Sequence, residues 1–225
     1  MNFNSVIIDA DNNPSKNRLD KNKNFMKVSD VFLIDILINT YCNLEKKATI
    51  VLNYKDVRTA EHLNSYVDKV IINETPQGAL PSAAIGVGNL LESKTPVVIC
   101  PSNALISRKS FLKFISFMIE TNASAGTITF SSDDPNYSFI RVDKSGDIIE
   151  IMEKKVISNF ATAGIFYYKT KKEFIDSCGW SLVNNVITND KFYIAPSLNY
   201  FVTRKKIIKN FSIESSEYSR FSVFN

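Results

Sequence analysis

The sequence predicts an α/β protein built on a mixed central sheet, and three observations carry that expectation. From Val6 to Ile119, short apolar runs alternate with amphipathic stretches, the texture of parallel strands covered by helices. After Gly126 the texture changes to consecutive strands, which are joined by short antiparallel connections. At 225 residues and 44% hydrophobic, the chain suffices for one sizeable core, so a single domain over residues 1–225 is expected, with no internal repeat or linker.

The elements follow in order. Val6, Ile7 and Ile8 form an apolar run that ends at Asp9 and reads as a buried first strand. Residues 11–24 are polar and turn-rich and read as a loop. Ser29 or Asp30 is placed to cap a helix over 31–43, with Phe32, Ile36 and Leu37 on one face. Strands are expected at 48–52, 69–72 and 96–100, with helices at 57–63, 79–91 and 111–119 between and after them. The strand-rich half reads as 127–131, 139–142, 148–152 and 164–168. Helices at 171–184 and 196–202 then precede a last strand at 207–211.

Composition narrows the function classes. The net charge of +4 suits an anionic ligand, but lysines are scattered and form no basic stripe, which argues against nucleic acid as a partner. Cys42, Cys100 and Cys178 lie far apart without metal-ligand spacing, so free thiols in a reducing compartment are expected. The first residues lack a signal-peptide pattern, and no apolar run approaches the roughly 18 residues that span a bilayer. A cytoplasmic protein with no membrane partner is expected, with a second copy of the chain as a candidate partner. His62 is the only histidine, which excludes a His-rich metal site, and it reads as a surface residue. Trp180 and the 16 phenylalanines read as core.

The most informative stretch starts at Val142. Two strands are joined by a turn at Lys144-Ser145-Gly146, the acid-base pair Glu153-Lys154 follows, and then comes an aromatic and β-branched strand containing Ala161-Thr162-Ala163-Gly164-Ile165-Phe166-Tyr167-Tyr168. This pattern resembles the sugar-phosphate nucleotidylyltransferases, especially the capsule- and lipopolysaccharide-associated members. The resemblance implies a Rossmann-like nucleotide-diphosphate-sugar (GT-A-like) fold. It also implies a nucleoside triphosphate and a phosphorylated sugar or similar small molecule as partners, with Mg²⁺ as cofactor. It places Glu153, Lys154 and Gly164 at the phosphorylated acceptor. Residues 22–35 resemble the segment that carries the family's triphosphate-reaching lysine, which puts the catalytic role on Lys23, neutralising charge during phosphoryl displacement. Pro76-Gln77-Gly78-Ala79 resembles the turn that reads the base, which assigns Gln77, Gly78 and Ala79 to the nucleotide. Gly78 would there allow a tight turn and close approach to a ring. Ser102 and Asn103 resemble the strand end beside the metal and the nucleotide.

Three departures from the family pattern stand out. The family's Gly-rich phosphate loop is absent, since no glycine precedes Gly78. Residues 11–18 take its place, with Asn12-Asn13 able to imitate part of the turn and Arg18 able to replace the lost arginine at the nucleotide. The magnesium-ligating aspartate falls on Asn103, whose amide oxygen is uncharged. The closing glycine turn is also missing, since no glycine follows Gly179. Asp9 and Asp11 are the only candidates for substitute metal ligands. Weak or lost turnover is therefore expected, and a nucleotide- or sugar-binding pseudoenzyme or regulatory subunit is the alternative. Ile7-Ile8-Asp9-Ala10-Asp11 is also similar to the strand end of haloacid-dehalogenase-type phosphatases, implying Asp9 as nucleophile and Asp11 as acid/base.

Overall fold

Residues 1–10, 22–43, 46–63, 67–72 and 76–221 are described by the structure, a computed structural model. Strand β1 (Asn4–Asp9) is followed by a 3-10 turn (Lys23–Phe25), the hairpin β2 (Lys27–Val28) and β3 (Val31–Phe32), and helix α1 (Leu33–Tyr41). Next come β4 (Ala48–Asn53), α2 (Val57–His62), β5 (Val67–Ile72), α3 (Ala79–Gly88) and β6 (Val97–Pro101). The second half runs β7 (Ala104–Leu105), α4 (Arg108–Glu120), β8 (Ala125–Ser131), β9 (Ser138–Val142), β10 (Ile148–Glu153) and β11 (Phe160–Tyr168). It ends with α5 (Lys171–Val183), α6 (Ile194–Ser197), α7 (Asn199–Thr203), β12 (Ile208–Ser212) and β13 (Ser219–Arg220).

The expected change of texture is visible in the sheet. Strands β5, β4, β1 and β6 lie side by side and all parallel; the apolar runs of β4, β1 and β6 are largely buried on both faces, whereas β5 at the edge leaves Ile71 exposed. β11 joins β6 antiparallel and carries the antiparallel hairpin β9–β10 beyond it. β11 is the pivot of the molecule. One of its edges pairs with β8, which in turn pairs with β12 in parallel. The opposite edge is shared: Phe166, Tyr167 and Tyr168 pair with β6, whereas Phe160 and Ala161 pair with β9. Thr162, Ala163, Gly164 and Ile165 pair with neither, so the sheet has a notch there. The β8 register also shifts between Thr162 and Phe166, where Gly164 adopts φ +77°. That left-handed conformation is what glycine tolerates and other residues resist.

Helices cover both faces. Leu33, Ile34 and Tyr41 of α1 pack with Phe111, Phe114 and Ile115 of α4 against one side. Leu80 and Ala83 of α3 pack with Phe174 of α5, Leu198 and Phe201 against the other. The helix starts follow local chemistry: the side chains of Asp56, Ser107 and Thr170 each accept a bond from a backbone N–H of the first turn of α2, α4 and α5.

Several expectations are corrected. The helix expected over 31–43 begins only at Leu33, and Ser29 and Asp30 do not cap it. They form the two-residue turn of the β2–β3 hairpin, with φ values of +50° and +67°. Paired positive φ values match the twist of a tight hairpin. The helix expected over 196–202 is split into α6 and α7. β7 and β13, two-residue strands that pair with each other, carry no periodicity to read. His62 is half-buried: its Nε2 lies 2.9 Å from Asp35 Oδ1, and the rings of Phe25 and Phe32 meet it edge-on. All three cysteines are free thiols, with Cys100 and Cys178 buried. Among the described residues, no helix is long and apolar enough to cross a membrane.

Candidate functional site

Strand order reverses between β1 and β6, since β1 continues to β4 on one side while β6 lies on the other. Crevices at such switch points, beyond the carboxyl ends of parallel strands, bind ligands. Here a cleft of about 430 Å³ opens at that place. Its floor is formed by Ile8, Asp9 and Ala10 from β1 and its end, and by residues 99–104 from β6 and its end. Thr162, Ala163 and Gly164 of the β11 notch line it from the side. Pro76, Gly78 and Ala79 before and within α3 form one wall, and Ser138 and Glu153 of the β9–β10 hairpin another.

The floor holds a buried ion pair. Asp9 is 2% exposed, and its Oδ1 pairs with the ammonium of Lys23, which is itself buried. Ser102 Oγ donates to the same oxygen at 2.6 Å, and Asn24 Nδ2 donates to Oδ2 at 2.6 Å. Asn24 also reaches Thr59 Oγ1 at 3.0 Å and Asp56 Oδ2 at 3.3 Å, and Asn22 donates to Asp56 Oδ1 at 3.3 Å. A network of buried polar side chains thus fixes the 3-10 turn Lys23–Phe25 against the end of β1. Low local dielectric makes such a network strong only while it is fully satisfied.

Glu153 sits on the opposite wall. It is half-buried and accepts a bond from Ser138 Oγ. Burial pushes its carboxyl above the ordinary value of 4.5, while the Ser138 hydroxyl and the charges of Lys154 and Arg220 pull the other way. A carboxyl raised in the folded state holds its proton more tightly there than in the unfolded chain. Stability is therefore expected to fall as pH rises from about 4.5 through the raised value. Melting temperatures measured from about pH 4 to 7 should show that decline in the wild type and a flatter profile in Glu153→Gln. An identical slope in the variant would place the linkage elsewhere.

Eight of the residues singled out from sequence line this cleft together: Asp9, Lys23, Gly78, Ala79, Ser102, Asn103, Glu153 and Gly164. Gln77 and Lys154 do not line it. Gln77 is exposed, and its Nε2 donates to the backbone oxygen of Asp190 at 2.7 Å, which tethers the turn at 188–191. Lys154 adopts φ +52°, and its ammonium sits over the Tyr193 ring at 5.3 Å from the centroid. Arg18 and Asp11, with Asn12 and Asn13, lie outside the described residues. Gly78 approaches the backbone of Phe192 closely. With φ +108°, it lets Phe192 come so near that an added Cβ would stand 2.3 Å from the Phe192 carbonyl oxygen. Tyr193, in the stretch 192–199 that resembles the family's helix entry and reads as a pocket wall, also lines the cleft, whereas sequence reading missed Lys191, Tyr218 and Arg220. The Asn189-Asp190 pair, both at positive φ, was the one local signal of the hairpin turn that presents Lys191.

Among the described residues, the donor set does not fit a protein-held magnesium ion. Magnesium takes hard oxygen ligands, with one or two carboxylates and ligand phosphates around it. The cleft's carboxylates among the described residues are Asp9 and Glu153. Both oxygens of Asp9 are engaged by Lys23, Ser102 and Asn24, and Glu153 is half-buried and bonded by Ser138. Asn103 offers an uncharged amide. No group of three or more His, Cys, Asp or Glu residues that could hold a metal occurs among the described residues.

The comparisons agree with this geometry. The chain is similar in structure to the nucleoside-diphosphate-sugar pyrophosphorylase from Vibrio cholerae RC9, with a TM-score of 0.78 and 13% identity over 97% of this chain and 95% of that one. It is likewise similar to the inositol-1-phosphate CTP transferase from T. maritima, with a TM-score of 0.69 and 13% identity over 97% of this chain and 88% of that one. At such identities the likeness shows the fold, a Rossmann-like α/β fold with a mixed sheet. By sequence, no curated protein matches the chain. The phosphatase reading of Asp9 and Asp11 finds no support in these matches, and the Asp9 carboxylate is held by three side chains of the protein itself. The model of the nucleotidyl transferase family matches residues 19–177, more than two thirds of the sequence, and the chain belongs to that family.

Proposed function

We propose that the protein binds a nucleoside triphosphate and a phosphorylated sugar or similar small acceptor in this cleft, and serves capsule or lipopolysaccharide synthesis with slow turnover. The observation that carries the reading is the cleft itself, at the switch point between β1 and β6 with Lys23 in its floor. The names of the two structural neighbours, one acting on nucleoside diphosphate sugars and the other transferring from CTP to inositol 1-phosphate, support the substrate class.

In the transfer, an oxygen of the acceptor phosphate attacks the α-phosphorus of the triphosphate. A new P–O bond forms as the bridging α–β P–O bond breaks, and pyrophosphate leaves with that electron pair. Little covalent chemistry falls to the protein, so positioning and charge neutralisation carry the rate. Lys23 is the neutralising cation. Its ammonium has three donors, and Asp9 draws on the same charge, which weakens what Lys23 offers to a phosphoryl group. The Asp9–Lys23 pair and the amide at Asn103 favour a second reading, a nucleotide-binding regulatory subunit without turnover.

A thermal-shift panel of nucleoside triphosphates, combined with a pyrophosphate-release assay, tests both. At least one triphosphate should raise the melting temperature, since a ligand that binds only the native state stabilises it. Release should stay below roughly 1 s⁻¹, the low end of the usual range for enzymes. No shift with any triphosphate would remove the proposal. Release at about 10 s⁻¹ or faster would remove slow turnover, and a shift with no release at all favours the regulatory subunit.

A further inference from the structure

The C-terminal strand adds a charge to the cleft. Arg220 of β13 pairs with Ala104 of β7, Ser219 pairs with Leu105, and the Phe221 N–H donates to the Asn103 carbonyl at 2.7 Å. These bonds hold Arg220 directly beside the end of β6. Tyr218 stacks on Phe130 at 4.2 Å between ring centroids, and the Arg220 guanidinium lies over the Tyr137 ring at 5.1 Å. The fork is thereby backed by an aromatic face, and it forms no ion pair among the described residues.

We propose that Arg220 anchors a phosphate group of the ligand and that this binding needs no divalent metal. The proposal rests on the reading of the cleft as a triphosphate site. Charge decides the first step. Among the described residues, the cations lining the cleft are Lys23, Lys191 and Arg220, and the anions are Asp9 and Glu153. Lys23 and Asp9 offset each other within the floor, and Lys191 and Arg220 outnumber the remaining carboxylate, Glu153. That excess of positive charge attracts an anion. Chemistry decides the second step. A guanidinium presents two parallel N–H groups to two phosphate oxygens, a match that a neutral amide or an ammonium does not reproduce. Geometry decides the third. Arg220 is fixed next to Asn103, where the family resemblance places a metal-ligating carboxylate, and a fixed guanidinium supplies there the charge neutralisation a divalent ion would supply.

Calorimetry on the full chain with ATP, CTP, GTP, UTP and dTTP, each in excess EDTA and in excess magnesium chloride, tests the proposal. The triphosphate that binds should do so at least as tightly in EDTA. Arg220→Gln should weaken it by roughly tenfold or more, as expected for losing a charge-assisted pair. Arg220→Lys should recover part of that loss as a point charge. Arg220 is exposed, so the melting temperature of the ligand-free variants should equal that of the wild type. Binding that requires magnesium, or unchanged affinity in Arg220→Gln, would overturn this proposal and leave the triphosphate reading standing. Absence of binding by all five triphosphates in both conditions would overturn the two together.

Discussion

Lys23→Ala should destabilise the protein by about 3 kcal/mol, the low end of what removing one partner of a buried ion pair costs. The Asp9 side chain is fully enclosed, and its carboxylate would keep the bonds from Ser102 and Asn24 while losing the neutralising charge. The two remaining donors are why the low end applies. Desolvated charge is the expensive part, so a second change should recover much of the loss: Asp9→Asn combined with Lys23→Ala leaves no net charge to bury. Urea unfolding of the wild type, the single variant and the double variant reads this directly. A loss under about 1 kcal/mol in Lys23→Ala would mean the pair behaves like one on the surface. The same experiment bears on activity, because a lysine held by Asp9 for stability is only partly available to a phosphoryl group.

Gly78→Val should cost about 2–6 kcal/mol, the sum of roughly 1–3 for backbone strain and roughly 1–3 for overpacking. Valine is β-branched and resists the φ of +108°. Its Cβ would also meet three backbone atoms of Phe192, at 2.3, 2.7 and 2.9 Å, and backbone cannot swing aside as a side chain can. Two hydrogen bonds depend on that approach, Phe192 N–H to the Gln77 carbonyl at 2.9 Å and Leu80 N–H to the Phe192 carbonyl at 3.1 Å. Hydrogen exchange at the Phe192 and Leu80 amides should accelerate in the variant. The loop that presents Lys191 and Tyr193 to the cleft would shift with them, so ligand affinity should drop together with stability. Retained protection at both amides would show that the loop tolerates the side chain.

Much of the architecture is readable because burial imposes period. β1, β4 and β6 are continuous apolar runs, the mark of strands covered on both faces, and α4 and α5 start at residues whose side chains cap them. Where period is absent, reading fails. A two-residue strand such as β13 has no pattern, and its pairing with β7 joins residues more than 100 positions apart. The Ser29-Asp30 turn lacks the glycine that usually announces a tight hairpin, so it reads as a cap. The floor of the cleft is legible through the family resemblance, which brings Lys23, Ser102 and Asn103 to one place. What the resemblance could not supply is their company. That Lys23 faces a carboxylate from β1, and that an arginine arrives from the C-terminal strand, are facts of folding across the whole chain.

The notch in the sheet has a consequence for how such a chain can diverge. The recess exists because β6 stops and β9 starts along the same edge of β11, leaving four residues without a partner on that edge. Its place is thus set by where main chains begin and end. At Asn103, where the resemblance places an acidic residue, an amide stands and the hollow persists. A protein built this way can retune the polarity of its binding surface while the hollow keeps its place in the sheet, even where a single exchange, as at Lys23, costs stability.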